Sequence, residues 1–323
     1  MKSKLKQYLL DNGKDRTWRE LYELYPYKGH NLSTTQKVDS VRSIDRLIKR
    51  QGRGLEEVER GKKRTAKILV FDLETSPKKA YIWRLWKASI HPTNGMLQSE
   101  SFMLTYSAKW LFEDNIINGR LTSEEALKED DSRITKDMWN LFNEADIVIA
   151  HNANGFDNKV LNTRFLKHGL PYPASYQTID TLYHCKRHLR LESNSLNYVA
   201  KFLGLGAKLP TTFSLWERCM NGEDAALQEM LDYNDQDVYL LEDVYLKLRP
   251  FIKPHPNVSL FIEDDITRCP TCSSDQLKVV GTYNTQVSQF NSVRCQSCGS
   301  SHRTRTNILS KNKKQSVIVS TSR

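Results

Sequence analysis

Residues 67–76 read KILVFDLETS, and the apolar run Ile68 to Phe71 followed by Asp72-Leu73-Glu74 decides how the rest of the chain is read. A short apolar run of this kind describes a buried strand. Side chains two apart on a strand point to the same face, so Asp72 and Glu74 stand together and can share one divalent cation. Outward from there, the strand-like Ile147 to Ala150 leads into AHNANGFD, which ends on Asp157. Further on, residues 231–248 read LDYNDQDVYLLEDVYLKL, with Leu231, Val238, Leu241, Val244 and Leu248 at helical spacing. Tyr233 and Asp237, four apart, therefore lie on one helix face. A tyrosine hydroxyl in that place can hold a water beside an ion that Asp237 helps bind.

Carboxylates gathered in this way suit phosphodiester hydrolysis, where the negative oxygens of the substrate repel hydroxide and two dications remove that obstacle. Asp72-Leu73-Glu74, Asn152-x-x-x-Phe156-Asp157 and Tyr233-x-x-x-Asp237 fall in order, in strand, strand-to-helix and helix contexts. On these motifs, residues 66–250 resemble the DEDD superfamily of 3′→5′ exonucleases in its tyrosine branch. The particular likeness is to the proofreading domains of family B DNA polymerases and their free-standing, phage-type relatives. The sister branch carries a histidine five residues before the last aspartate, where this chain has Asp232.

The resemblance implies an α/β fold with a ribonuclease H-like mixed sheet and flanking helices. It also implies roles for two Mg²⁺ or Mn²⁺ ions. Asp72 bridges both, Glu74 and Asp237 complete the first site, Asp157 supports the second directly or through water, and Tyr233 orients the attacking hydroxide. Replication, repair or nucleotide recycling are the settings implied, with a separate replicative polymerase as partner. Around these residues, most of Asp232, Asp235, Glu242 and Asp243 read as a solvated helix face, His151 as a structural histidine, and Asp180 as a helix cap.

The 323 residues carry a net charge of +10, unevenly spread. Residues 1–64 hold 17 basic and 9 acidic residues, and 266–323 hold 9 and 1, leaving the centre with 22 and 28. An acidic centre suits metal ions and basic ends suit a polyanion, so nucleic acid is the expected partner. No apolar run approaches the roughly 20 residues a membrane span requires, and MKSKLKQYLLDNG lacks the apolar core of a signal peptide. The expectation is a cytoplasmic protein with no membrane contact.

Residues 1–50 read as a three-helix, helix-turn-helix-like unit whose last helix presents Arg42, Arg46, Lys49 and Arg50 opposite an apolar stripe. Capping-box patterns at Thr17 to Glu20 and Ser33 to Gln36 mark two of its helix starts. Residues 51–66 form a charged, glycine-containing linker, and the α/β domain occupies 67–250. Further strands are expected at 79–86 and 102–110, with Tyr81, Trp83, Trp86 and Trp110 mostly in the core and one or two free to stack on bases.

Residues 264–303 hold two C-x-x-C knuckles, Cys269/Cys272 and Cys295/Cys298, which supply four thiolates for one structural Zn²⁺ in a zinc ribbon. His302 lies near in sequence, but four cysteines already fill a tetrahedral shell. Cys185 and Cys219 read as buried thiols. Residues 304–323 form a basic, flexible tail, and Arg303 and Arg305 join the basic residues expected to meet phosphate.

The reading that unites these features is a metal-dependent 3′→5′ exonuclease acting on single-stranded nucleic-acid ends, with DNA the expected substrate. Two rivals stand beside it: a ribonuclease H-fold endonuclease or transposase-like nuclease, and a non-catalytic nucleic-acid-binding regulator.

Overall fold

The computed structural model describes residues 65–83, 86, 90, 95–319 and 321. The helical unit expected at 1–50, with Arg42, Arg46, Lys49 and Arg50, and nearly all of the linker at 51–66 lie outside the described residues. The described chain forms two units, divided between Asp265 and Ile266.

The first unit is built on strand β1 (Ile68–Thr75). Leu69, Val70 and Phe71 are fully buried, as a strand covered on both faces requires. Strands β2 (Lys79–Ala80) and β3 (Leu97–Ser99) make a small separate hairpin. Then come β4 (Met103–Trp110), β5 (Ile117–Arg120), β6 (Ile147–Ala150) and β7 (Gln177–Asp180). The main sheet runs β5-β4-β1-β6-β7. Its first three strands pair antiparallel, and β1, β6 and β7 pair parallel. Parallel strands need crossovers, which helices α1 (Ser123–Lys128), α2 (Ser132–Glu144) and α3 (Asp157–Lys167) help to supply. Helices α4 (Thr181–His188), α5 (Leu196–Phe202), α6 (Phe213–Met220) and the long α7 (Asp224–Leu248) follow the last strand.

The pleat of β1 divides the interior into two cores. Leu69, Phe71 and Leu73 pack with Phe142 and Phe165, and Phe71 meets Phe142 edge-on at 5.1 Å between ring centres. Val70, on the opposite face, packs with Ile147, Ile149, Val238, Leu241 and Tyr245. Asp72 and Glu74 share the face of Val70, because the side-chain period is two. Helix α7 spans both cores: Leu227, Met230 and Tyr233 belong to the first, and Val238 and Leu241 to the second. Asp237 lies where the helix passes from one to the other.

Strand β4 presents a polar row to α7. Thr105, Ser107 and Lys109 are fully buried. Asn234 donates to Thr105 at 3.0 Å, Ser107 donates to Asp235 at 2.6 Å, and Lys109 forms an ion pair with Glu242. Asp235 and Glu242 are therefore part of a helix-sheet contact, which corrects their reading as a solvated face; Glu242 is only 1% exposed. A second correction concerns residues 79–86, where, among the described residues, only Lys79 and Ala80 are strand and Tyr81, Trp83 and Trp86 are exposed. Trp110 alone of the four packs against a core.

In the second unit, strands β8 (Leu277–Asn284), β9 (Gln289–Cys295) and β10 (Ser301–Arg303) form an antiparallel sheet in the order β10-β9-β8. Residues beyond Arg303, expected as a flexible tail, continue beside β9. The amides of Thr304 and Ile308 donate to the carbonyls of Asn291 and Gln289 at 2.9 and 2.8 Å. Ser310 then caps a short helix α8 (Lys311–Ser316). Among the described residues, no helix is long and apolar enough to cross a membrane.

Candidate active site

The ends of β1 and the middle of α7 bring acidic side chains together. One carboxylate oxygen from each of Asp72, Glu74 and Asp237 lies within 4.8 Å of the others. Asp157 lies outside that trio, yet close enough for its charge to act on both Asp72 and Glu74. Asp237 is fully buried, and its Oδ1 has no hydrogen-bond partner. An unpaired carboxylate oxygen in such a place costs free energy unless something positive meets it. That orphaned atom, on a carboxylate gathered with those of Asp72 and Glu74, fits a hard divalent cation.

Tyr233 stands one helical turn before Asp237, as the spacing required, and between them reaches a residue the sequence analysis did not single out. The Lys208 ammonium donates to Asp237 Oδ2 at 2.5 Å and to the Tyr233 hydroxyl at 3.2 Å. Lys208 sits in the connection between α5 and α6, where Gly206 takes a positive φ of 108° that other residues rarely adopt. The Lys208 amide donates to Asn197 Oδ1 at 3.0 Å and ties that connection to α5.

Charge crowding dominates the electrostatics. Burial, then the charges of Asp157, Asp237 and Glu74, hold the Asp72 carboxyl well above its ordinary range. Burial pushes Glu74 up to about 7, against the pull of Lys208 and with the help of Asp237 and Asp157. Asp157 is likewise pushed up to about 7 by burial, with Asp180 adding to the rise. Burial raises Asp237 too, while Lys208 holds it down. Burial tends to discharge Lys208 itself, but Asp237 and Asp72 win and keep it a cation. Tyr233 is pushed up to about 12, by burial first and by Asp237 second. Four carboxylates faced by one ammonium leave an excess of negative charge that dications can neutralise.

Asp157 opens α3, and the loop before it is held from β7. Asp180 Oδ1 accepts from the Asn152 and Tyr183 amides at 3.1 and 3.0 Å, and Oδ2 accepts from the Asn154 amide at 3.0 Å. Asp180 therefore caps α4, as expected, and also anchors the loop that delivers Asp157. Gly155 lies so close to Asn152 that an added Cβ would fall 2.3 Å from Asn152 Oδ1. His151 joins the same scaffold: Nδ1 lies 2.9 Å from Thr181 Oγ1 and Nε2 2.8 Å from the Asn194 carbonyl.

In the second unit, the sulfurs of Cys269, Cys272, Cys295 and Cys298 lie within 4.8 Å of one another. Cys269 and Cys298 are 3.6 Å apart, as are Cys272 and Cys295. Four thiolates about 2.3 Å from a tetrahedral zinc would be separated by about 3.8 Å, so the cluster fits that ion and a zinc ribbon. His302 Nε2 lies 3.5 Å from Cys269 Sγ, a hydrogen-bond distance. Arg303 and Arg305 are exposed on the same unit, and the Arg303 guanidinium rests 4.2 Å from the ring centre of Phe290.

A family model described as RNase_H superfamily matches residues 93–249, a stretch that includes Asp157, Tyr233 and Asp237 and begins after Asp72 and Glu74. The family B DNA polymerase of the hyperthermophilic archaeon Pyrobaculum calidifontis is similar at 18% identity and a TM-score of 0.44. That alignment covers 59% of this chain and 26% of the polymerase, so the chain spans about a quarter of its length. No curated protein matches the chain in sequence. The mixed five-stranded sheet with helices packed about it, together with the family-model match over residues 93–249, shows a ribonuclease H-like fold in the first unit.

Proposed function

We propose that this domain is a metal-dependent 3′→5′ exonuclease that removes nucleotides from the single-stranded ends of nucleic acid, with DNA as its substrate. The supporting observation is the convergence of Asp72, Glu74 and Asp237 beside Tyr233, with one Asp237 oxygen buried and unpaired. Asp72, Glu74 and Asp237 would hold one Mg²⁺ or Mn²⁺, and Asp157 with Asp72 a second. Such ions, when bound, supply the positive charge that lets water approach phosphorus and the 3′-oxygen depart.

The chain's own groups supply orientation. Tyr233, with its pKa near 12, stays protonated at neutral pH, so its hydroxyl positions a water and does not deprotonate it. Lys208 remains charged and holds both Tyr233 and Asp237 in place. Cys269, Cys272, Cys295 and Cys298 would hold a structural Zn²⁺, a closed site that leaves no position for substrate. The basic residues of the second unit and of the N-terminal segment are accessory contacts to the phosphate backbone in this reading, and a separate polymerase would use the ends so trimmed.

The test is digestion of end-labelled linear DNA and RNA oligonucleotides, with a circular single strand alongside, in Mg²⁺ and in Mn²⁺. Mononucleotides released from the 3′ end, and their loss in Asp72→Asn, are the expected result. Shortening from the 5′ end refutes the polarity. Efficient cutting of the circle supports an endonuclease, and binding without a metal-dependent product supports a regulator.

A further inference from the structure

Residues 81–90 carry the most exposed aromatic side chains described in the molecule. Trp83 is 96% exposed, Trp86 86% and Tyr81 72%, with Ile82 and Ile90 also open to solvent. Rings of this size are the side chains that gain most from burial, and their gathering outside a core marks a contact surface. The charge around them tells what kind. Residues 76–99 contain Lys78, Lys79, Arg84 and Lys87 and no acidic residue, whereas residues 65–265 as a whole hold more acidic than basic side chains. In the order Tyr-Ile-Trp-Arg-Leu-Trp-Lys, a cation follows each tryptophan.

The segment is also rooted beside the carboxylates. The Ser76 amide donates to the Phe102 carbonyl at 2.8 Å, and the Phe102 amide donates to Ser76 Oγ at 3.0 Å. Lys79 and Ala80 pair with β3, and the Tyr81 amide donates to the Met96 carbonyl at 2.8 Å. The hairpin therefore leaves the sheet two residues beyond Glu74.

We infer that this hairpin is a stacking platform for single-stranded nucleic acid, with Trp83 and Trp86 receiving bases and Lys79 meeting the backbone. The inference deepens the nuclease reading and rests on it for the direction of the strand, whose end would lie at Asp72 and Glu74 while the preceding nucleotides cross the hairpin. Base stacking on aromatic rings tolerates any sequence, as removal of successive nucleotides requires.

The experiment uses the full chain carrying Asp72→Asn, which silences cleavage, and fluorescein-labelled 20-nucleotide DNA and RNA single strands. Replacing Trp83 or Trp86 with Ala is expected to weaken binding by about 5- to 150-fold for each ring lost, the range measured for base-aromatic stacks. Trp83→Phe and Trp86→Phe should recover most of the affinity. Affinity unchanged within about twofold in the double Ala variant overturns the proposal. So does an unchanged affinity accompanied by lost adhesion to anionic phospholipid vesicles, which would assign the surface to a membrane. Cleavage by the wild-type chain is read separately on the same strands: an inert wild type sinks the nuclease reading and leaves the binding comparison intact.

Discussion

Replacing Glu74 with Gln should make the metal-free protein more stable at pH 8 while leaving it nearly unchanged at pH 4.5. In the folded chain, burial and neighbouring acids raise Glu74 from an ordinary 4.5 to about 7. A folded-state pKa above the unfolded one means that the folded state binds the proton more tightly. The associated stability is present below pH 4.5 and is lost as pH rises through 7. Two and a half units at 1.36 kcal/mol each amount to about 3 kcal/mol. Glutamine keeps the shape and never ionises, so the wild type should fall behind the variant by about 3 kcal/mol across that interval. His151 and His184, both lowered by burial, act in the opposite sense near pH 6, but they are common to both proteins and cancel in the difference. Urea denaturation at several pH values, without added divalent cation, measures the gap. Mg²⁺ or Mn²⁺ at 100 times its dissociation constant should then stabilise the wild type by about 2.7 kcal/mol and the variant by much less. A gap that does not change with pH, or a variant less stable at pH 8, would refute the claim that this site concentrates uncompensated negative charge.

Four further outcomes follow from the contacts. Tyr233→Phe should slow cleavage by about 10²-fold at saturating substrate with little loss of binding, as removal of one positioning hydroxyl would; an unchanged kcat would exclude the hydroxyl from the reaction. Asp180→Ala leaves the Asn152, Asn154 and Tyr183 amides without their acceptor, so it should cost about 1–3 kcal/mol in urea denaturation and reduce turnover through a displaced Asp157. Cys295→Ser should drop zinc content, measured by elemental analysis, from one equivalent to near zero, since three thiolates and a hydroxyl make a poorer shell. Lys109→Met alone should cost about 3–5 kcal/mol because it strands the buried Glu242, and Lys109→Met with Glu242→Leu should regain most of that stability.

The legible parts of this fold are those whose cause is local. The apolar run at 68–71 and the helical spacing from Leu231 to Leu248 announce β1 and α7, and the two C-x-x-C knuckles announce the cysteine cluster, because each pattern is fulfilled within a few residues. Strand β5 escaped because Ile-Asn-Gly-Arg has no alternation, its place being set by pairing with β4. Helix α1 escaped although Thr122 and Glu125 form the same kind of capping box that was noted in the first 50 residues. The rings at 81–86, expected mostly in the core with one or two free to stack on bases, are all exposed, because residue type does not say which side of a surface a ring occupies.

Lys208 and the Glu242 pair were hidden for a related reason: a lysine in a connecting loop and an acid on a helix gain meaning only when another element arrives opposite them. That arrival also explains how the site is aimed. Asn234, Asp235 and Glu242 on α7 answer Thr105, Ser107 and Lys109 on β4, a row of buried polar partners spaced along one helix and one strand. An apolar contact would tolerate a shift of α7 along β4, whereas a shift by one residue would turn every helix side chain through about 100° and leave all three buried partners unmet. Leaving even one of them unmet costs more than a small repacking of apolar groups. Asp237, lying between Asp235 and Glu242, is thereby fixed in rotation towards Asp72 and Glu74. The polar contact thus does for orientation what the two apolar cores do for stability, and it explains why Glu242, on a helix face read as solvated, is buried.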